Sequence, residues 1–324
     1  LALNPTPVTP QTINQAAELL RQGRLVAFPT ETVYGLGADA SNPEAVGKIF
    51  AAKGRPDDHP LIVHLANVDQ VNDWAENISD AVWQLANAFW PGPLTIILNK
   101  KPKVPLIVTG GQNTIALRIP ANPVALQLLQ AFGNGIAAPS ANRFGHISPT
   151  QAIHVSEELG ENVACILDGG PCTVGVESTI LDLSDEFPNI LRPGRITRSQ
   201  LKAVLKTDIK LSTQTKIRAP GMMAVHYAPH TMSLLCQTET MIAMIDDLCA
   251  KGKNIGLLVF SQKLASLPCQ HLLHLPEQSE NYETALYSSL RELDKLNLDM
   301  ILIEQPPDTE TWAAVNDRLS KATV

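Results

Sequence analysis

The sequence predicts an α/β protein in two parts. The larger carries a mixed twisted sheet with flanking helices, and the smaller a mainly parallel, Rossmann-like α/β sheet. Three observations lead there. Helix and strand patterns intermix from the start, but some strand patterns follow each other with no helix between, which excludes a purely doubly wound sheet. Periodicity fades from about Lys206 to Pro229. Beyond that the rhythm becomes strand, helix, strand, helix. The predicted divisions are residues 1–205, a linker at 206–230, and 231–324.

Composition bounds the function. The 324 residues are 44% apolar and 18% charged, enough for a sizeable core. A net charge of −7 argues against a broad nucleic-acid-coating surface and permits a local basic pocket. The five cysteines, Cys165, Cys172, Cys236, Cys249 and Cys269, are widely spaced without a Cys-x-x-Cys, and read as reduced thiols, not as disulfides or a structural zinc. The opening LALNPTPVTP lacks the regions of a signal peptide, and no run approaches the ~18 apolar residues of a membrane span. A soluble cytoplasmic protein is expected.

The elements follow in order. Thr9 caps a first helix opened by Pro10, with Ile13, Ala16, Ala17 and Leu20 inward and Gly23 as its stop. Leu25–Phe28 reads as a buried strand. Asn42-Pro43 opens a second helix that Gly54 ends. Leu61–Leu65, Thr95–Leu98, Thr114–Ile119, Gly135–Ala138, Cys165–Leu167, Ser178–Leu183 and Asn189–Leu191 read as strands. Helices are expected after Ser79, after Asn122-Pro123, from Ser148 or Thr150 to Leu159, and over Ser199–Leu205. The second part reads as strands at Ser233–Cys236, Asn254–Phe260 and Met300–Glu304, with helices at Thr240–Ala250, Glu283–Leu296 and Thr311–Leu319.

The chemistry concentrates in Leu25–Leu65. Pro29 to Gly37 reads as a polar, glycine-containing bend, and Lys53-Gly54-Arg55-Pro56 sets two cations in a turn. Hydroxyls plus fixed cations suit a phosphate-bearing ligand. Further cations recur at strand ends and turns: Arg118 inside an apolar strand, Arg143 after Ser140-Ala141-Asn142, and Arg192 and Arg195 around Pro193-Gly194. An arginine within an apolar strand is paired or faces a cavity. In an acidic protein this pattern points to a concave site for an anionic ligand. Thr30, Thr32, Ser140, Ser148, Ser178 and Thr179 sit at strand–loop junctions, with helix capping expected of Ser148.

Other readings fail. Gly35-Leu36-Gly37 mimics a dinucleotide fingerprint, but the helix begins only at Pro43, so no helix end is aimed at a pyrophosphate. Pro229 between His226 and His230 forbids the helix a metal pair would want, and no metal-ligating motif is present. Ser140 lacks the glycine-flanked elbow of a hydrolase. A basic RNA-binding module is disfavoured by the charge and by the absence of basic–aromatic interleaving.

Taken in order, Pro29-Thr30-Glu31-Thr32-Val33-Tyr34-Gly35-Leu36, Lys53-Gly54-Arg55-Pro56 with Pro60-Leu61-Ile62-Val63-His64, Trp90-Pro91-Gly92-Pro93-Leu94-Thr95, Thr114 to Pro120, Ala138-Pro139-Ser140-Ala141-Asn142, Glu177-Ser178-Thr179-Ile180 and Arg192-Pro193-Gly194 resemble the YrdC-like domain, a mixed sheet around a central cavity. With His226-Tyr227-Ala228-Pro229 and the second α/β unit, the whole chain resembles the long, two-domain form of the threonylcarbamoyl-AMP synthase family. The resemblance implies that L-threonine, bicarbonate or CO2, and ATP give threonylcarbamoyl-adenylate and pyrophosphate. A separate transferase, contacted transiently, then modifies an adenosine of tRNA. It implies ATP as substrate with Mg2+, no tightly bound cofactor and no membrane partner; direct tRNA binding and an alternative amine substrate stay open. By the same resemblance Thr32, His64, Arg118, Ala138 and Ser178 hold threonine. Arg55, Thr114, Ser140, Ser148, Arg192 and Tyr227 hold ATP, Lys53 and Arg55 act on the phosphates, and the linker closes as a lid bearing Tyr227. His59 stands where the family usually has asparagine before Pro-Leu, which leaves an ATP contact that titrates.

Overall fold

The computed structural model describes residues 3–211, 215–223 and 226–323. The chain falls into two compact units. The first takes Leu1–Phe144, Ser148–Thr173 and Glu177–Met222; the second takes Gly145–Ile147, Val174–Val176 and Met223–Val324.

The first unit is built on strands β1 (Thr6–Pro7), β2 (Val26–Pro29), β3 (Tyr34–Asp39), β4 (Ile62–His64), β5 (Ala75–Glu76), β6 (Leu94–Lys100), β7 (Thr114–Arg118), β8 (Ile136–Ala137), β9 (Cys165–Asp168), β10 (Thr179–Asp182), β11 (Asn189–Arg192) and β12 (Lys210–Leu211). They run in the order β1-β9-β2-β3-β8-β4-β7-β6-β10-β11-β12, with β5 on β6. Pairing is mixed as predicted: β4–β7 and β6–β10 are parallel, whereas β2–β3 and β6–β7 are antiparallel.

The local signals set the helix ends. Thr9 and Thr12 form a capping box on Pro10–Arg21. Asn42 Oδ1 accepts from the Glu44 and Ala45 N–H groups, and Gly54 closes Pro43–Lys53 in the left-handed region at φ 62°. Asn122 and Gly133 bound Pro123–Phe132 in the same way.

Strand alternation gives the sheet two faces. Val63, Ile96, Leu98, Ile115, Leu117 and Leu181 enter the main core. Their neighbours Ile62, Ile97, Ala116 and Ile180 form a smaller apolar cluster, packed by Ile217, Ala219 and Met222. The stretch read as a tether therefore carries β12 and lays Ile217–Met222 on the first unit's own sheet.

Two readings are corrected. Tyr34–Asp39 is a strand, not part of a bend; only Thr30–Val33 turns. The strand is legible only with its neighbours in place, because Gly35 and Gly37 leave room for other side chains. A Cβ on Gly37 would lie 2.8 Å from a Phe28 ring carbon and 2.9 Å from Ile136 Cγ2. Ser148 does not cap a helix. That helix is Ala152–Leu159, with Gln151 at its N-cap, and the Ser148 hydroxyl donates to Glu177 Oε1 at 2.5 Å.

The second unit has β13 (Ser233–Cys236), β14 (Ile255–Val259), β15 (His271–His274) and β16 (Met300–Glu304) in the order β13-β16-β14-β15, all parallel. The half-exposed edge strand β15 went unread because His271-Leu272-Leu273-His274 shows no clean alternation. Among the described residues no helix is long and apolar enough to cross a membrane.

Candidate active site

Register assembles the site. β4 lies parallel to β7 with His64 opposite Arg118, so both side chains stand on the face away from the main core. The Leu65 N–H donates to the Arg118 carbonyl and the Ala138 N–H to the Ile62 carbonyl. Gly35 bridges to Ser140, and the Leu36 N–H donates to the Pro139 carbonyl. Backbone pairing thus draws Thr30–Tyr34, His64, Arg118 and Ala138–Ser140 into one place.

Arg118, 3% exposed, carries the charge there. Its Nη2 pairs with Glu31 Oε1 at 2.6 Å, its Nη1 donates to Thr32 Oγ1 at 2.9 Å, and its Nε donates to the Gly92 carbonyl at 3.3 Å. Glu31 Oε2 accepts the Ala121 N–H at 2.9 Å. Each terminal guanidinium nitrogen keeps one further N–H, the pair a carboxylate would need for bidentate binding. Thr32 Oγ1 also meets Thr30 Oγ1 at 2.8 Å. His64 Nδ1 is buried with no hydrogen-bond partner among the described residues. Burial first, and the Arg118 charge second, push the His64 pKa down to about 3, so the ring is neutral.

On the same face Ser178 Oγ lies 2.7 Å from Thr95 Oγ1. Arg192 clamps the Ser178 carbonyl through Nε at 3.0 Å and Nη2 at 2.9 Å, and its Nη1 donates to the Pro220 carbonyl. Gly194 makes this approach possible, since a Cβ there would stand 2.3 Å from the Thr179 nitrogen.

Lys53 is buried, and its ammonium donates to the carbonyls of Ser140 and Asn142. Burial, then Arg55, hold its pKa well below the usual lysine value. Its visible work is to tie the Pro43–Lys53 helix to the Ser140–Asn142 turn. Arg55 Nη2 donates to the Pro60 carbonyl at 3.0 Å. His59 packs edge-on to Phe144 with ring centroids 5.5 Å apart. Burial and then Arg55 lower its pKa.

Thr32, His64, Arg118, Ala138 and Ser178 are all buried, none more than 4% exposed, and so are Lys53, Ser148 and Arg192, whereas Arg55, His59, Thr114 and Ser140 are only partly buried. The end around Arg118 is dry, and the other end mixes buried with partly exposed side chains. Arg143 is tied to Glu158, whose Oε2 accepts its backbone N–H at 2.8 Å and whose carbonyl accepts from its Nε at 3.4 Å. Tyr227 belongs to the second unit. Its backbone is left-handed at φ 65°, and its ring lies 5.9 Å from that of Tyr287 and 5.3 Å from the Arg318 guanidinium.

Sequence reasoning missed Glu31, Thr95 and Glu177 as parts of the site. Glu31 and Glu177 stand beside Thr32 and Ser178 in the quoted motifs, but nothing local says that a carboxylate points inward.

Comparison with known proteins gives the family. Residues 18–194 match the Sua5, YciO and YrdC family signature, described as telomere recombination. Residues 196–324 match the threonylcarbamoyl-AMP synthase C-terminal domain. The threonylcarbamoyl-AMP synthase of Bacillus subtilis is 43% identical over 96% of this chain and 92% of its own length. That of Pyrococcus abyssi is 40% identical over 96% of this chain and 94% of its own. The crystal structure of Pyrococcus abyssi Sua5 complexed with L-threonine superposes with a TM-score of 0.92 at 38% identity, covering 100% of this chain and 98% of that one. On these matches the chain belongs to the threonylcarbamoyl-AMP synthase family, in its two-domain form.

Proposed function

We propose that this chain joins L-threonine, bicarbonate or CO2, and ATP into threonylcarbamoyl-adenylate with release of pyrophosphate, as a nucleotidyltransferase working in the cytoplasm for tRNA threonylcarbamoyladenosine modification. The observation that carries this reading is the dry cluster of Arg118, Glu31, Thr32, His64 and Ser178, with the partly exposed Arg55, His59, Thr114 and Ser140 drawn up by the same sheet. The relatives named as threonylcarbamoyl-AMP synthases support it.

In this reading Arg118 takes the threonine carboxylate with its two remaining N–H groups, and Thr32, His64, Ser178 and the Ala138 backbone surround the rest. Arg55, His59, Thr114, Ser140, Ser148 and Arg192 hold ATP, with Lys53 fixing the turn that carries Ser140. The threonine amine adds to CO2, loses its proton and becomes a carbamate. A carbamate oxygen attacks the α-phosphorus and pyrophosphate leaves. No protein nucleophile is required; the chain supplies position and charge stabilisation. Burial of the amino-acid end keeps water from the carbamate. Mg2+ would be an ion carried on the ATP phosphates. Glu177, beside Ser148, is the buried carboxylate that would hold it, and the ion would neutralise charge on the leaving pyrophosphate.

The test is pyrophosphate release by the purified protein with ATP, threonine and bicarbonate, omitting each in turn and replacing threonine by serine. Release should need all three and prefer threonine. Release that ignores threonine and bicarbonate would overturn the reading.

A further inference from the structure

We propose that Arg218 is a positioning residue for the nucleotide end of the site. It straps the loop carrying Arg55 and His59 to the turn that leads into Thr114. The proposal rests on the assignment of those residues to ATP.

Sequence reading placed Arg218 in the interdomain linker, with no role of its own, yet it is fixed from several directions. Its N–H donates to Gln112 Oε1 at 2.7 Å, and its carbonyl accepts from Gln112 Nε2 at 3.0 Å, so one side chain pairs with both polar groups of its backbone. Ile217 and Ala219 on either side lie on the sheet face with Ile62, Ile97 and Ala116. From that anchored backbone the guanidinium reaches two segments at once. Nη1 pairs with Asp58 Oδ2 at 3.0 Å, and Nη2 donates to the Gly110 carbonyl at 2.6 Å.

Those segments meet backbone to backbone. Gly110 is left-handed at φ 57°, and a Cβ there would stand 2.3 Å from the Asp58 carbonyl oxygen. Side-chain packing cannot fill so close a contact, so hydrogen bonds must hold it. The Leu61 N–H donates to the Val108 carbonyl at 2.8 Å, and Arg218 secures the outer end. Asp58 adjoins His59, and Thr114 follows Gln112 by two positions. Arg218 is also close enough to His59 to weigh on its charge, along with Arg55 and against Asp58.

An exposed arginine–aspartate pair adds little to folding stability. Its loss is therefore read in the use of ATP and not in unfolding. Replacing Arg218 frees the 55–60 loop from the 110–112 turn and spreads Arg55, His59 and Thr114 over more positions.

The experiment compares wild type, Arg218→Ala, Asp58→Arg, Arg218→Asp and the double swap Asp58→Arg/Arg218→Asp. Steady-state constants are measured for ATP and threonine, and calorimetry reads a non-hydrolysable ATP analogue. Arg218→Ala should weaken ATP and analogue binding about five- to tenfold, the net size of one ordinary hydrogen bond. Threonine KM should stay within about twofold, and the swap should bind the analogue more tightly than either of its single variants, because it restores the pairing with position 58 though not the contact with the Gly110 carbonyl. An unchanged analogue affinity in Arg218→Ala, a parallel rise in both KM values, or a swap no better than the singles would overturn the strap. A wild type that binds the analogue but releases no threonine-dependent pyrophosphate would instead overturn the functional reading, leaving the strap to stand on binding alone. A wild type that does not bind the analogue would overturn both.

Discussion

Removal of the Glu31 carboxylate tests how the dry end of the site is held. Arg118 is 3% exposed and Glu31 6%, and their contact at 2.6 Å is a buried ion pair. Glu31→Ala leaves the guanidinium charged and unpaired in a dry place, and it strips the Ala121 N–H of its acceptor. Breaking such a pair from one side costs about 3–5 kcal/mol, a large share of the roughly 5–15 kcal/mol that stabilises a typical protein. The double variant Glu31→Gln/Arg118→Met removes both charges and keeps an acceptor for the Ala121 N–H. It should regain most of that stability while failing to use threonine, because the loss comes from an uncompensated charge and not from a missing attraction. Urea midpoints at constant m-value read the stability, and threonine KM reads the site. A loss under about 1 kcal/mol in Glu31→Ala, or a double variant no more stable than the single, would refute the reasoning.

Three further outcomes are expected. Gly194→Ala pushes a Cβ to 2.3 Å from the Thr179 nitrogen, so Arg192 must leave the Ser178 carbonyl; pyrophosphate release should collapse with only about 1–3 kcal/mol lost in unfolding. An unchanged ATP KM would contradict this. The His64 pKa is lowered from 6.5 to about 3, so the unfolded chain takes up the proton first. The associated stability is whole above pH 6.5 and falls as pH drops toward 3, by at most about 1.4 kcal/mol per pH unit. Urea midpoints of His64→Gln should show a shallower acid slope than wild type, and equal slopes would sink the assignment. The lowered His59 pKa leaves that ring neutral at neutral pH, and bound phosphates would raise it again. ATP affinity should therefore rise as pH falls through the imidazole range in wild type and stay flat in His59→Asn; two flat profiles would remove His59 from the site.

What the sequence determined by itself is local or periodic. Caps and stops act within a turn of helix, so Thr9, Asn42 with Gly54, and Asn122 with Gly133 placed their helices closely. The alternation of strand and helix in the second part showed a parallel sheet, and the ordered motifs marked which residues would share a site. Tertiary structure decided the rest, because it depends on register and distant pairing. Arg118 finds Glu31, 87 positions away, only once β7 lies beside β4 and the β2–β3 turn closes over them. Tyr34–Asp39 becomes a strand because Gly35 and Gly37 admit their neighbours' side chains, a fit invisible in a run of glycines and hydroxyls. Lys53, which ends a helix as a surface cation would, turns inward because two carbonyls of the Ser140–Asn142 turn await it. Ile217 and Ala219 look too sparse for an element, yet the sheet presents an apolar cluster for them, and that contact sets Arg218 against Asp58.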